Sequence, residues 1–381
     1  MSKNDQSRGT SRRQFLKSAT AMGVAASTGP WIIKDAFSSS GTVNVFAWGD
    51  YIQPNMVSAF EKKTGIKINL STYGSNDEAE QKLRAAGGKG FDIVMPSVTN
   101  RANYDEGDLL QPIDESKVNI DAVIPSMYKD SIQLGAVKRG KRYVIPFNWG
   151  TEAITFDSSV HKLADSDVSY ASLWEAGLDN KVAFRQKSAL VGVAVLLDHT
   201  GEAPSNRGLD LYKSEEDMRR VMDASLAYIL KHKNNFGAFW NNATEATNAF
   251  TQAGCTIGQT WDTTGIKLGQ DIDPKWKYRM PKEGGITWMD GMAIPSGAAN
   301  IEQAYAFINA MLTPEIGAML ANNTGYNSTA QGAADMANTA YKYAYNAIYN
   351  EATLSNLWWW QSDTPYFAPV RQEYVDRITN A

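Results

Sequence analysis

The sequence predicts an α/β protein built as two lobes, and three observations carry that prediction. Short β-rich runs alternate with helical patterns early in the chain. Roughly 340 residues follow residue 40, long for a single hydrophobic core. One extended run, Arg142 to Asp157, holds Pro146 and Gly150 and can leave one lobe and enter the other.

The elements follow in order. "TVNVFAW" (42–48) is β-rich, and Pro54 then opens a helical pattern with Met56, Val57 and Phe60 apolar and Gly65 as its stop. "IKINLSTYG" reads as a second strand, and Ser75 or Asn76 can cap a helix reaching Ala86, ended by Gly87 and Gly88. "FDIVMPS" is a third strand stopped by Pro96. Strand–helix–strand–helix–strand implies right-handed parallel crossovers, with ligands gathering beyond the carboxyl ends of the strands. Those ends are Trp48–Tyr51 and Pro96–Ser97. Later come a strand near "KVAFR", an apolar run "ALVGVAVLL", and a charged helix from Glu215 to Lys231 capped by Ser214. "ATEATNAFTQAG" reads as helix and "CTIGQTW" as strand. Asn300 and Gln303 suggest a capping box, and Thr313 with Pro314 opens a further helix.

The first forty residues stand apart. Arg12, Arg13, Phe15, Leu16 and Lys17 resemble the twin-arginine export signal, and the weakly apolar run after them is too short and polar to span a membrane. Cleavage is expected near Ala36 to Gly41, which implies a periplasmic protein. Without residues 1–40 the chain carries 31 Lys/Arg against 39 Asp/Glu, a net charge of −8. That acidity, with no basic stripe, argues against nucleic acid as a partner. The lone Cys255 permits no internal disulfide and suits a small buried residue.

No cofactor or metal motif emerges. His161, His199 and His232 lack metal-ligand spacing, "GGKGFD" is not a phosphate loop, and no Gly-x-Ser-x-Gly elbow occurs. Nothing points to an enzyme. What stands out is aromatic residues beside acids: Trp48 with Asp50 and Tyr51, Trp261 with Asp262, Trp288 with Asp290, and "WWWQSD" with Gln361 and Asp363. An indole face attracts a cation by about 0.5–2 kcal/mol and covers methylene groups. A carboxylate supplies the counter-charge that a desolvated ammonium needs. Any one such pair is equally compatible with a core tryptophan beside a solvated acid.

"PKEGGITWMDGMAIPSGAAN" resembles the late signature of the bacterial spermidine/putrescine-binding proteins of ABC transporters. The likeness extends in order to "VFAWGDYIQPNMVSAFEKKTGIKI", "STYGSNDEAEQKL", "FDIVMPS" and "VIPFNWGTEAI". It implies a bilobal periplasmic-binding-protein fold of type II, with the ligand in the cleft between the lobes. Residues 41–149 and 291–330 are then expected in one lobe, and 150–290 and 331–381 in the other. The resemblance matches Trp48 and Tyr51 to aromatics that box the ligand, Asp50 to an acid near the amine, and Ser97 to a cleft hydroxyl. It matches Trp261 and Trp288 to stacking tryptophans, Asp290 to the acid on an amino group, Tyr326 to a cleft tyrosine, and Gln361 to a late glutamine. Asp262 stands where relatives carry Asn or a small residue. It also implies ABC permease subunits as partners, a monomer, and no catalysis.

One departure bears on the ligand. Where polyamine binders carry acids for a second ammonium, this chain reads Arg185, Gln186, Lys187, Ser188. A base facing the cleft there repels a diamine's far end and welcomes a carboxylate. A polyamine is the first ligand expected, and a zwitterionic ω-amino acid such as γ-aminobutyrate the alternative. A secreted enzyme or a chemosensory binding protein on the same scaffold ranks below both.

Overall fold

A computed structural model describes residues 41–381, and the export segment expected over 1–40 lies outside the described residues. Strand β1 (Thr42–Trp48) sends Val43, Val45 and Ala47 into one apolar cluster and Phe46 into another, as a period of two requires. Helix α1 (Pro54–Thr64) begins on its proline and ends on Gly65, whose φ of 73° closes the last turn. Strand β2 (Lys67–Tyr73) follows. In helix α2 (Asn76–Ala85) the Ser75 hydroxyl accepts from the Glu78 amide at 3.2 Å. Strand β3 (Ile93–Val94) completes the first crossover pair, and β2 and β3 both run parallel to β1.

Strand β4 (Val144–Asp157) is buried at all 14 positions. Beyond it lie β5 (Val182–Phe184), α3 (Gln186–Thr200), α4 (Glu215–Lys231), β6 (Phe236–Phe239), α5 (Ala243–Thr251), β7 (Ile257–Trp261) and α6 (Asp262–Lys267). The apolar run 189–197 thus forms the middle of α3, buried on every side because it is hydrophobic all round. Strand β8 (Ile286–Pro295) then returns, followed by α7 (Ile301–Met311), α8 (Pro314–Thr324), β9 (Asn327–Ser328), α9 (Thr339–Ile348) and β10 (Trp358–Trp359).

These strands form one sheet in the order β2-β1-β3-β8-β4-β7-β5-β6. The parallel groups at its two ends meet through the antiparallel centre of β8 and β4. One core gathers β1, α1 and α7 with Ile145, Phe147, Met292 and Ile294. A second gathers α3 and α4 with Ile154, Phe156 and Ile286. Strands β4 and β8 therefore each contribute to both of these cores, with polar residues of one face between them, while Trp149, Ala153, Met289 and Ala293 enter a third. Helix α9 packs Tyr341 and Tyr345 against Ala318 and Ala321 of α8. Among the described residues no helix is long and apolar enough to cross a membrane.

The expected capping box at Asn300 does not form. The Asn300 side chain makes no cap; its Nδ2 donates to Asp92 Oδ2 at 3.0 Å. Asp92 Oδ1 instead accepts from the Ala299 and Asn300 amides at 3.0 and 2.9 Å. A carboxylate at the positive end of α7 is the stronger acceptor, so it displaces the amide cap.

Candidate ligand-binding cleft

The site is built on one face of β4. Asn148, Gly150 and Glu152 alternate along it before Ile154 and Phe156 enter the second core. Across the ladder, Asp290 lies opposite Asn148 and Trp288 opposite Gly150. Opposed residues share a face, so the acid and the indole of the Trp-Met-Asp run look the same way. Gly150 makes room for the ring: a Cβ there would sit 2.4 Å from Trp288 Cζ2.

Asp290 is 3% exposed. The Tyr51 hydroxyl donates to its Oδ2, while Oδ1 has no hydrogen-bond partner among the described residues. Burial pushes the carboxyl up to about 6; the nearby Ser97 and Tyr51 hydroxyls pull it down, and Asp50 pushes it up. Ser97 bridges to the Asp290 backbone, and Asn76 fixes it by accepting from its amide and donating to its hydroxyl, each at 3.0 Å. Around the carboxylate stand rings. Tyr326 meets Tyr51 and Trp288 edge-on, with centroids 5.6 and 5.5 Å apart. Trp48 lies 6.2 Å from Tyr51, and exposed Asp50 stands near enough to Tyr326 to push its hydroxyl up. Trp48, Trp288 and Tyr326 are all half-buried, so ring surface remains open beside a buried, half-satisfied carboxylate.

Asp262 sits differently. It is fully buried and begins α6. Its Oδ2 accepts from the Tyr349 hydroxyl at 2.7 Å, the Asn327 amide at 3.1 Å and the Thr151 backbone at 3.2 Å. Its Oδ1 accepts from the Thr263 backbone at 2.8 Å. Burial raises this carboxyl to about 6 as well, against the pull of those donors. All its acceptor capacity goes to holding α6, β4, β9 and Tyr349 together.

Trp261 and Arg185 form a second group. Trp261 Nε1 donates to Glu152 Oε1 at 3.2 Å, and Arg185 Nη1 reaches the same oxygen at 3.3 Å. The guanidinium lies 5.2 Å over the Trp261 ring. Gln361 donates to the carbonyl of Trp359 at 2.8 Å, turned back on its own strand. Sequence reasoning passed over Asn148 and Glu152. Asn148 is fully buried beside Tyr51. The missed signal was alternation: polar residues at 148 and 152, with Gly150 between, inside an otherwise apolar strand.

Residues 55–347 match the family described as bacterial extracellular solute-binding protein. The chain belongs to that family. Among curated relatives of this solute-binding protein is the spermidine/putrescine-binding periplasmic protein of Escherichia coli, 26% identical over 97% of this chain and 98% of that one. The putrescine-binding periplasmic protein SpuD of Pseudomonas aeruginosa is 31% identical over 72% of this chain and 74% of its own. In fold, the solute-binding protein is similar to the spermidine/putrescine ABC transporter substrate-binding protein PotD of Streptococcus pneumoniae. That likeness has a TM-score of 0.74 at 23% identity and covers 90% of this chain and 99% of that one. Relatives of this kind are transport proteins that bind solutes, and several are named as periplasmic.

Proposed function

We propose that this protein captures a small molecule bearing a primary ammonium and delivers it to the permease subunits of an ABC importer. The observation that carries the reading is the Asp290 carboxylate, buried, with Oδ1 unpartnered among the described residues and half-buried rings on its flank. A buried carboxylate left half-satisfied is costly, and an ammonium supplies both the charge and the donors it lacks. Tyr51, Trp288 and Tyr326 then cover the first methylene groups. Asn148 and Ser97 are further polar contacts for the amine. The names of the relatives put polyamines first among candidate amines.

In this proposal residues 41–149 and 291–330 move as one lobe and 150–290 and 331–381 as the other. They close about β4 and β8, whose polar middles lie between the cores. Export by the twin-arginine route and action as a periplasmic monomer belong to the same proposal. A thermal-shift panel of primary amines, sugars and organic anions tests it. A ligand at 100 times its Kd stabilises by about 2.7 kcal/mol, a readily measured shift. At least one primary amine is expected to give it, and a response confined to sugars or anions refutes the reading.

A further inference from the structure

Beside Trp261 stands a group of charges that an ammonium at Asp290 does not use. Arg185 precedes the first residue of α3 and Lys187 lies in its first turn, which carries no acid. Arg371, from helix α10 (Phe367–Thr379), acts on both as a like charge. The acids facing them are Glu152, already paired with Arg185 at 3.3 Å, and Asp363. Among the described residues Lys187 makes no hydrogen bond and no ion pair.

The polar atoms here are also incompletely matched. Arg185 Nε, Glu152 Oε2 and Ser188 Oγ are buried without partners among the described residues, and Ser188 is 0% exposed. On the Arg185–Glu152 pair, joined at 3.3 Å, one donor and one acceptor atom thus stay open to a ligand. The start of α3 adds the positive end of its dipole. With Lys187 protonated, three cations against two carboxylates leave a single positive charge, which fits a carboxylate better than a phosphate of charge near −2. Burial, then Arg185 and Arg371, push the Lys187 ammonium down to about 7, a penalty that an anion removes.

The two poles share a sheet face. Glu152 lies four residues beyond Asn148 on β4, about 13 Å along the strand, and long side chains shorten that gap. Trp288, opposite Gly150, lies between them. We propose that the ligand is an ω-amino acid, its ammonium at Asp290 and its carboxylate at the Arg185, Lys187 and Arg371 pole. This rests on Asp290 holding the ammonium and narrows which amine the protein takes.

Calorimetry on the whole exported chain tests it. The probes are ω-amino acids of increasing length, the diamine of each length, and the plain alkylamine. The best ω-amino acid is expected to bind at least about tenfold more tightly than its matched diamine, the difference between attraction and repulsion at a partly buried cation. Lys187→Gln is expected to narrow that ratio. Binding of the ω-amino acid near pH 8 is expected to take up protons, because its carboxylate raises Lys187, whereas the alkylamine gives no uptake. A matched diamine binding more tightly overturns the inference and leaves the ammonium site standing. Lack of proton uptake together with a ratio unmoved by Lys187→Gln overturns it too. If no amine in any series binds, the ammonium site itself is refuted.

Discussion

Trp261–Asp262 and Trp288–Asp290 look alike in sequence and part company in the fold. Both acids are buried, and burial raises both carboxyls to about 6. The difference is in their donors. Asp262 accepts from Tyr349, Asn327 and two backbone amides, whereas Asp290 accepts from Tyr51 and keeps Oδ1 without a partner among the described residues. Burial and a perturbed carboxyl therefore do not separate a binding acid from a structural one. Unspent acceptor capacity does.

The sharpest way to break the comparison is to neutralise each acid in turn. Asp290→Asn is expected to weaken amine binding by about 100-fold or more, as losing one partner of a buried charge pair costs 2–5 kcal/mol. The ligand-free protein should keep its melting point at neutral pH, since a desolvated charge has been removed. Calorimetry and a thermal melt together check both halves. Asp262→Asn should do the reverse. An amide there confronts donors with a donor, costing about 2–3 kcal/mol of stability, or several degrees in Tm. Affinity per folded molecule should hold. If binding fails with Asp262→Asn and survives Asp290→Asn, the roles assigned to the two acids are exchanged.

Smaller effects sharpen the same contrast. Gly150→Ala forces the Trp288 ring off the backbone, since the new Cβ would lie 2.4 Å from it. Affinity should fall about tenfold, a loss of about 1.4 kcal/mol of ring contact, seen in the same titration. Tyr349→Phe removes one donor from Asp262 and should cost about 1 kcal/mol of stability, read from a denaturant midpoint, with affinity unchanged.

pH gives the last test. Asp290 is raised from an ordinary 3.8 to about 6, so the folded ligand-free protein holds its proton more tightly than the unfolded chain. Its contribution to stability is complete below the unfolded value and is lost as pH rises through about 6. Amine binding runs the opposite way, because the ammonium needs the ionised acid. Below about pH 6 the Kd should rise roughly tenfold per unit. A Kd that is flat from pH 7 to pH 4.5 would separate the ammonium from Asp290.

Much of this was legible in the chain. Pro54, Gly65, Ser75 and Ser214 mark helix ends through local backbone chemistry, and they do so without help from distant residues. Gly87 and Gly88 likewise take the positive φ that ends α2. The Trp-Met-Asp run shares a sheet face because residues two apart on a strand must. Asn300 misled because Asp92, just before β3, reaches its helix from 208 positions away. Glu152 was missed for the same reason: its partner Arg185 lies at the start of α3, 33 positions along the chain.

The sequence by itself determined the alternation of strands and helices, their caps, and which strands could bring an indole and an acid together. Those depend on backbone geometry within a few residues. Only the tertiary structure decided that Asp262 is spent on Tyr349 and Asn327, that Asp290 is not, and that Arg185 meets Glu152 and Trp261 beside Lys187. A side chain's free valence depends on every donor that folding carries to it, and those donors come from all along the chain.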